Sequence, residues 1–111
     1  MSYFEQIWNW TKQIPKGKVT TYGAIAKLTG VNGRVVGWAL HKNKDPLIPC
    51  HRVVTKEGEL AANYVFGGQE EQRKRLLEEG VKFIDETHVD IKNFIFSFGE
   101  EAGKLVRPAA R

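Results

Sequence analysis

The chain is poor in cysteine, and it lacks the sequence patterns of several common protein classes. Its 111 residues include one cysteine, which excludes an internal disulfide and a zinc site built from cysteines. The histidines His41, His51 and His88 are too widely spaced for a metal-binding motif, so we expect no metal site. Neither a glycine-rich phosphate-binding loop nor a dinucleotide fingerprint is present.

Long apolar segments are absent as well. No run approaches the roughly 20 apolar residues that span a bilayer, and the start of the chain lacks a signal-peptide pattern. With 41% hydrophobic and 11% aromatic residues, the composition predicts one small globular domain with a single core. A lone cysteine suits a reducing compartment, and we expect a cytoplasmic monomer without membrane contact.

Charge is unevenly distributed along the chain, whose net charge is +4. Residues 1–52 hold eight lysines and arginines against two acidic residues, a net charge of +6, and the remainder has a net charge of −2. The basic half suggests a polyanionic partner. Nucleic acid fits better than a membrane because no basic amphipathic helix is present. Ordinary solubilising charge is the alternative.

Three helix-start signals occur in the first half, each a side chain able to accept hydrogen bonds from exposed backbone amides. They predict three helices. The first is capped by Ser2 with Glu5 and ends near Ile14, the second is capped by Thr21 and ends near Leu28, and the third is capped by Asn32 and ends near Lys42. A tight turn at residues 29–31 joins the second helix to the third. This arrangement is typical of a helix-turn-helix.

The second half predicts a short hairpin and one charged helix. Val53–Val54 and Leu60 flank a turn at residues 56–59, and a helix is expected from about Gln69 to Glu79. Apolar residues between 81 and 96 indicate extended segments that close over the core. The predicted fold is mostly α with a small β hairpin, like a winged helix-turn-helix domain, over residues 1–98. Residues 99–111 are expected to form a flexible tail.

The pentapeptide Pro49–Val53 places the only thiol beside an imidazole. A thiol is a weak nucleophile until it loses its proton, and a neighbouring imidazole favours that loss. The Cys50–His51 pair is weak evidence on its own, because most lone cysteines are inert buried thiols.

Five short motifs follow one another along the chain: residues 14–23 (IPKGKVTTYG), 33–37 (GRVVG), 48–54 (IPCHRVV), 67–68 (GG) and 77–81 (LEEGV). In this order they resemble the motifs of the O6-alkylguanine-DNA alkyltransferases, over roughly residues 3 to 84. The resemblance implies a helix-turn-helix that docks in the minor groove and flips the damaged base into a pocket.

The resemblance also implies chemical roles for five residues. Cys50 would be the nucleophile that takes the alkyl group from guanine oxygen-6, and His51 would deprotonate it, directly or through a water. Glu79 would orient His51 and balance its charge. Tyr22 would hydrogen-bond the guanine ring, and Asn43 would tie down the loop that carries the cysteine. No cofactor takes part in this scheme.

Contacts with DNA and with the lesion are implied in the same way. Arg34, at the start of the third helix, would fill the stack left by the flipped nucleotide. The implied DNA-binding residues are Thr21, Tyr22, Arg34, Gly37 and Arg52, and the implied substrate-binding residues are Cys50, Val53 and Tyr64. The expected partner is double-stranded DNA that contains O6-alkylguanine.

His51 and Glu79 should also stabilise the thiolate. We therefore expect Cys50 to react with small electrophiles faster than a free thiol does near neutral pH.

Two other functions are compatible with the sequence. One is a lesion-binding protein of the alkyltransferase-like kind, which binds O6-alkylguanine without repairing it. The short chain favours this function, but those proteins carry tryptophan or another residue where this chain has Cys50. The other is a helix-turn-helix regulator with a structural cysteine.

Alkyltransferases commonly carry an additional amino-terminal domain, and this chain starts at the DNA-binding domain. Val65 and Phe66 replace part of a glycine-rich loop near the pocket, which bears on the size of lesion accepted.

Overall fold

A computed structural model describes residues 2–98. Over this range the chain forms helices and short strands in the order α1 (Tyr3–Thr11), β1 (Thr20–Thr21), α2 (Tyr22–Thr29), α3 (Gly33–Lys42), a 3₁₀ turn (Cys50–Arg52), β2 (Val53–Val54), α4 (Gly68–Glu78) and α5 (Ile91–Phe94). No helix in this part of the chain is long and apolar enough to cross a membrane.

The predicted capping residues begin the first three helices. Ser2 and Glu5 form both hydrogen bonds of a capping box at the start of α1. Thr21 Oγ1 accepts from the Ala24 amide at 3.1 Å, and Asn32 Oδ1 accepts from the Val35 amide at 3.1 Å. Local side-chain chemistry therefore determines where α1, α2 and α3 begin.

Helix ends are less well predicted. Gly30 ends α2 with φ +78°, a left-handed conformation that glycine adopts without strain. Helix α1 ends at Thr11, earlier than the predicted end near Ile14, because the chain leaves it through tight turns that include a bond from the Ile14 amide to the Thr11 carbonyl.

The helices α1, α2 and α3 pack around one apolar core. Ile7, Ile25 and Val36 are fully buried between them, and side chains of this size stabilise a fold by roughly 1.5–3 kcal/mol each. Trp8 Nε1 donates to the Ala39 carbonyl at 2.8 Å and so ties α1 to α3. Helices α2 and α3 form the predicted helix-turn-helix.

The small sheet is not the predicted hairpin. Strand β2 pairs in parallel with β1, with Thr20 opposite Val53 and Thr21 opposite Val54. The turn after β2 forms as expected, but the Leu60 amide then donates to the Thr87 carbonyl instead of returning to β2. The reason is burial on both faces of β2. Val53 packs in the helical core and Val54 in a second apolar cluster, an environment typical of parallel strands.

The second cluster lies beneath α4 and the carboxyl-terminal segment. Helix α4 begins and ends one residue earlier than predicted. Phe83 and Val89 form an antiparallel bridge, as expected for extended chain, but Ile91–Phe94 forms the helical turn α5 where extended chain was predicted. The Asp90 carbonyl accepts from the amides of Asn93 and Phe94 and so favours that turn. The predicted tail, 99–111, lies outside the described residues.

A buried glutamine joins α4 to the segment that carries Cys50. Gln72 is fully buried, and its Nε2 donates to the carbonyls of His51 (3.1 Å) and Val53 (3.2 Å). Its Oε1 accepts from the Ala61 amide at 2.8 Å. One side chain thus hydrogen-bonds three backbone groups from two separate segments of the chain.

Replacing Gln72 with leucine should lower the free energy of unfolding by about 3 kcal/mol, because each buried polar group left unpaired costs roughly 1–3 kcal/mol. Urea denaturation followed by circular dichroism measures the loss. Gln69→Leu is the matched control, since Gln69 makes one part-buried bond to the Leu60 carbonyl and its loss should cost under about 1.5 kcal/mol. Equal losses in the two variants would contradict this role for Gln72.

Candidate functional site

A cavity of about 410 Å³ lies between α3 and the loop of residues 61–65. We call it the Cys50 pocket. Its lining residues are Tyr22, Arg34, Gly37, Trp38, Leu40, His41, Lys42, Cys50, Ala61, Ala62, Asn63, Tyr64 and Val65. Helix α2 contributes its first residue, Tyr22, and the 3₁₀ turn contributes Cys50. The pocket therefore combines the helix-turn-helix with the only thiol of the chain.

Asn43 holds the thiol in place. Its Nδ2 donates to Cys50 Sγ at 3.2 Å and to the Asp45 carbonyl at 2.9 Å, and its Oδ1 accepts from the Asp45 amide. Asn43 and Cys50 are both buried, with 3% and 4% of their surface exposed. The side chain that ends α3 thus bridges the following loop and the sulfur atom, as the role predicted for Asn43 requires.

The thiol is protonated at neutral pH. Burial raises the pKa of Cys50 to about 11, and the hydrogen bond from Asn43 offsets only part of that effect. The raised pKa argues against the expected activation of the thiol toward small electrophiles. The sequence shows the imidazole beside the thiol but not the desolvation of the sulfur.

His51, Glu79 and Arg52 form one hydrogen-bonded network. His51 Nε2 lies 2.8 Å from Glu79 Oε2, and Arg52 donates to both carboxylate oxygens at 2.9 and 2.7 Å. Burial would raise the pKa of Glu79, but the bonds from Arg52 and His51 outweigh it and leave that pKa below 4.5. The Glu79 side chain is 11% exposed, so it is not the solvated helix-end charge that its sequence position favours.

Burial has the opposite effect on the imidazole. It lowers the pKa of His51 below 6.5, although the bond to Glu79 acts to raise it. His51 is therefore neutral at pH 7. Since Glu79 is a carboxylate, Nε2 carries the proton of the neutral ring and Nδ1 is the basic nitrogen.

His51 and Cys50 face different cavities. His51 lines a second cavity of about 250 Å³, which we call the His51 cavity and which is also lined by Lys16, Arg75, Glu78 and Glu79. The adjacent residues of the 3₁₀ turn thus line different cavities, and the Tyr64 ring lies 6.5 Å from that of His51.

The other predicted site residues separate into two groups. Tyr22, Arg34, Gly37 and Tyr64 meet around the Cys50 pocket. Thr21 caps α2 immediately before Tyr22, and Val53 is fully buried in β2, where its carbonyl accepts from Gln72.

Arg52 is held within the protein. Besides its two bonds to Glu79, Nη1 donates to the Ile14 carbonyl at 2.8 Å, and the side chain is 16% exposed. The structure thus places Arg52 in the network with His51, away from the residues that line the Cys50 pocket. Its assignment to DNA binding stays a prediction.

Two phenols line the pocket, Tyr64 buried and Tyr22 partly buried. Burial raises the pKa of Tyr22 to about 12, with a smaller contribution from Cys50, and burial likewise raises that of Tyr64 to about 12. Both hydroxyl groups are therefore protonated at neutral pH and can donate hydrogen bonds.

Sequence reasoning missed Trp38, which is 56% exposed at the pocket. It lies four residues after Arg34 on α3, a spacing that puts the two side chains on one helix face and was the available signal. Gly37 lies between them in sequence, and a Cβ there would meet no atom within 4 Å. The exposed face of α3 therefore offers one cation, one large aromatic ring and open space beside them.

No group of three or more histidine, cysteine, aspartate or glutamate side chains within residues 2–98 could hold a metal ion.

Comparison with known protein families identifies the domain. A family model described as 6-O-methylguanine DNA methyltransferase, DNA binding domain, matches residues 2–81. The chain belongs to this family.

The chain matches a different share of the length of each relative. It is 45% identical over 80 residues to the methylated-DNA–protein-cysteine methyltransferase of Thermococcus gammatolerans, covering 69% of this chain and 44% of that protein. It is 35% identical over 83 residues to alkyltransferase-like protein 1 of Schizosaccharomyces pombe, covering 72% of this chain and 77% of that protein. The chain thus spans less than half of the methyltransferase.

The fold resembles that of a protein whose structure was solved in complex with DNA. The crystal structure of S. pombe Atl1 with damaged DNA containing O6-carboxymethylguanine matches with a TM-score of 0.72 at 28% identity, covering 86% of this chain and 94% of that chain. This similarity confirms the mostly helical, helix-turn-helix-like fold.

A buried thiol with a pKa of about 11 should react with iodoacetamide roughly tenfold more slowly than free cysteine at pH 7.5. The loss of thiolate outweighs the greater nucleophilicity that accompanies a higher pKa. The rate should keep rising through pH 10, and mass spectrometry of timed samples at several pH values measures it. Protein unfolded in denaturant is the control and should react like free cysteine. If the folded protein reacts as fast at pH 7.5, the thiolate is stabilised and this account of Cys50 is wrong.

Proposed function

We propose that this chain repairs DNA by flipping O6-alkylguanine out of the duplex and transferring the alkyl group irreversibly to Cys50. The observation that carries this proposal is the position of the sulfur. Cys50 lines a pocket that opens beside the exposed face of α3, the second helix of the helix-turn-helix. The proposed partner is double-stranded DNA containing O6-alkylguanine, bound by a cytoplasmic monomer.

Base flipping is required because an alkylated base inside a duplex cannot reach a buried thiol. Extrusion costs a few kcal/mol, and a side chain inserted into the vacated stack offsets part of that cost. Arg34 is exposed at the first turn of α3 beside the pocket, and its charge adds attraction for the phosphates. The exposed ring of Trp38, on the same helix face, supplies a surface on which a base can stack.

The transfer step is a displacement at carbon. Cys50 Sγ attacks the alkyl carbon, an S–C bond forms as the bond from that carbon to O6 breaks, and the electron pair of the broken bond passes to guanine. The thiol proton leaves Sγ as the bond forms, and guanine regains one proton. Water does not hydrolyse the resulting thioether, so each molecule acts once.

The ionisation states favour proton transfer during the reaction rather than before it. At neutral pH the thiol is protonated and His51 is a neutral base, and Glu79 stabilises the imidazolium that would form. His51 would take the proton at Nδ1, directly or through a water. The Asn43 amide donates to the developing thiolate, and the Tyr22 hydroxyl can donate to the departing guanine anion.

A non-catalytic, lesion-binding protein is the second candidate. It is favoured by the similarity of the fold to S. pombe Atl1, whose structure with damaged DNA matches with a TM-score of 0.72. Such a protein would bind O6-alkylguanine and mark it for another repair pathway. The Cys50–Asn43 contact and the neutral His51 base favour transfer instead. Nothing beyond the helix pair itself favours the regulator.

Incubation with a duplex containing O6-methylguanine should add one methyl group to each protein molecule, because the chain holds one thiol. Intact-protein mass spectrometry and peptide mapping should place that group on Cys50. Cys50→Ala is the matched control, which should bind the same duplex and gain no mass. An unmodified wild-type protein at saturating DNA would favour the lesion-binding candidate.

Arg34→Ala should slow repair of duplex DNA about tenfold if flipping limits the rate, equivalent to ~1.4 kcal/mol of lost compensation. Reaction with free O6-benzylguanine should be nearly unchanged, because a free base leaves no hole to fill. Tyr22→Phe should slow both reactions, since its hydroxyl acts on the guanine. The ratio of duplex to free-base rates measures the difference. Equal slowing of both reactions by Arg34→Ala would make Arg34 a structural residue of α3.

A further inference from the structure

Arg75, in the last turn of α4, lines the His51 cavity and contacts Tyr64, a wall residue of the Cys50 pocket. Its Nη1 donates to Tyr64 Oη at 2.7 Å, and its Nε donates to Glu71 Oε2 at 2.9 Å. The guanidinium carbon also lies 5.6 Å from the centre of the Tyr64 ring and 5.8 Å from that of the Phe66 ring. The same side chain lines the His51 cavity.

Tyr64 is the part of the pocket wall that these contacts hold. Its side chain is buried and lines the Cys50 pocket, yet it lies on a loop that has no regular backbone pairing of its own. The ring meets Phe66 and His51 edge-on, with centres 6.0 and 6.5 Å apart. A charge-assisted hydrogen bond from α4 therefore supplies rigidity that the loop backbone does not.

We propose that Arg75 is a positioning residue, which holds Tyr64 as a fixed wall of the pocket that receives the flipped guanine. This inference rests on the proposed function, because it assigns the Cys50 pocket to the lesion. Glu71 completes the arrangement by accepting a second hydrogen bond from the same guanidinium, from Nε.

The arginine side chain suits this role better than lysine. A guanidinium donates in two directions at fixed angles and can lie against aromatic faces, whereas an ammonium is a mobile point charge. Arg75→Lys therefore keeps the positive charge and loses the geometry. Arg75→Gln loses both.

The charge has a separate effect, which distinguishes the variants. The positive charge of Arg75 contributes, after burial and together with Arg52, to lowering the pKa of His51. The charged and titratable groups that face His51 are Glu79, Arg52, Arg75, Lys16, Glu78 and Tyr64. Loss of the Arg75 charge should move the His51 titration slightly upward, an effect that a purely structural side chain would not have.

The experiment compares Arg75→Gln, Arg75→Lys and Tyr64→Phe with wild type in the full chain. The first measurement is the ratio of Kd for an undamaged duplex to Kd for the same duplex with O6-methylguanine. The second is the pH titration of His51 by NMR in the free protein. Arg73→Gln is the matched control, because Arg73 is an arginine of the same helix whose contacts are with other residues, a hydrogen bond to the Glu86 carbonyl and an aromatic contact with Phe83.

We expect Arg75→Gln to lower the binding ratio about tenfold and to shift the His51 titration upward. Arg75→Lys should lower the binding ratio similarly and leave the titration in place. Tyr64→Phe, which removes only the hydroxyl, should lower the ratio severalfold without moving the titration. The double variant Arg75→Gln, Tyr64→Phe should bind like Arg75→Gln alone, because both substitutions remove the same hydrogen bond. Arg73→Gln should match wild type in both measurements.

Two results overturn the inference. If Arg75→Gln retains the wild-type preference for alkylated DNA, the inference about Arg75 is overturned and the proposed function stands. The absence of any wild-type preference would overturn the proposed function and this inference with it. If Arg75→Gln does not fold, Tyr64→Phe decides the question. A binding ratio equal to that of wild type in Tyr64→Phe would show that the Arg75–Tyr64 hydrogen bond has no part in lesion recognition.

Discussion

The carboxylate of Glu79 is the point on which the site depends. It lies at the end of α4 and accepts from His51, from Nε and Nη2 of Arg52, and at 3.4 Å from the Gly17 amide. Arg52 extends the same network to the Ile14 carbonyl. Three stretches of chain that are distant in sequence therefore meet at one anion. A largely buried anion is stable only when it is paired, so the loss of the Arg52 guanidinium would disturb the turn that carries Cys50.

The 3₁₀ turn separates the Cys50 thiol from the His51 imidazole. Cys50 faces the pocket beside α3, and His51 faces the cavity beside α4. Desolvation moves both pKa values toward the neutral forms, up for the thiol and down for the imidazole. The site thus holds a protonated thiol and a neutral imidazole. The transfer that we propose would therefore be selective, because a small electrophile in solution would meet the unreactive thiol, whereas a bound lesion would hold its alkyl carbon against the sulfur while the proton departs.

Helix α4 shows why part of this site is hard to predict. Gln72, Leu76 and Glu79 follow one another at helical spacing and face the rest of the protein, with Arg75 beside them. Only one of the four is apolar, so the hydrophobic pattern that predicts a core-facing helix is weak. Each polar member is satisfied by a partner at least 11 residues away in sequence. The hydrophobic pattern therefore predicts a solvated surface helix.

By itself the sequence determined the helix starts at Ser2, Thr21 and Asn32, the end of α2 at Gly30, and the identity of the residues around Cys50. These features depend on side chains and backbone groups within four residues of each other, so local chemistry suffices. Only the tertiary structure decided that β2 pairs with β1, that Glu79 is shared by His51 and Arg52, and that the thiol is neutral. Strand pairing, ion pairing and desolvation depend on groups 27 or more residues apart and on the exclusion of water between them.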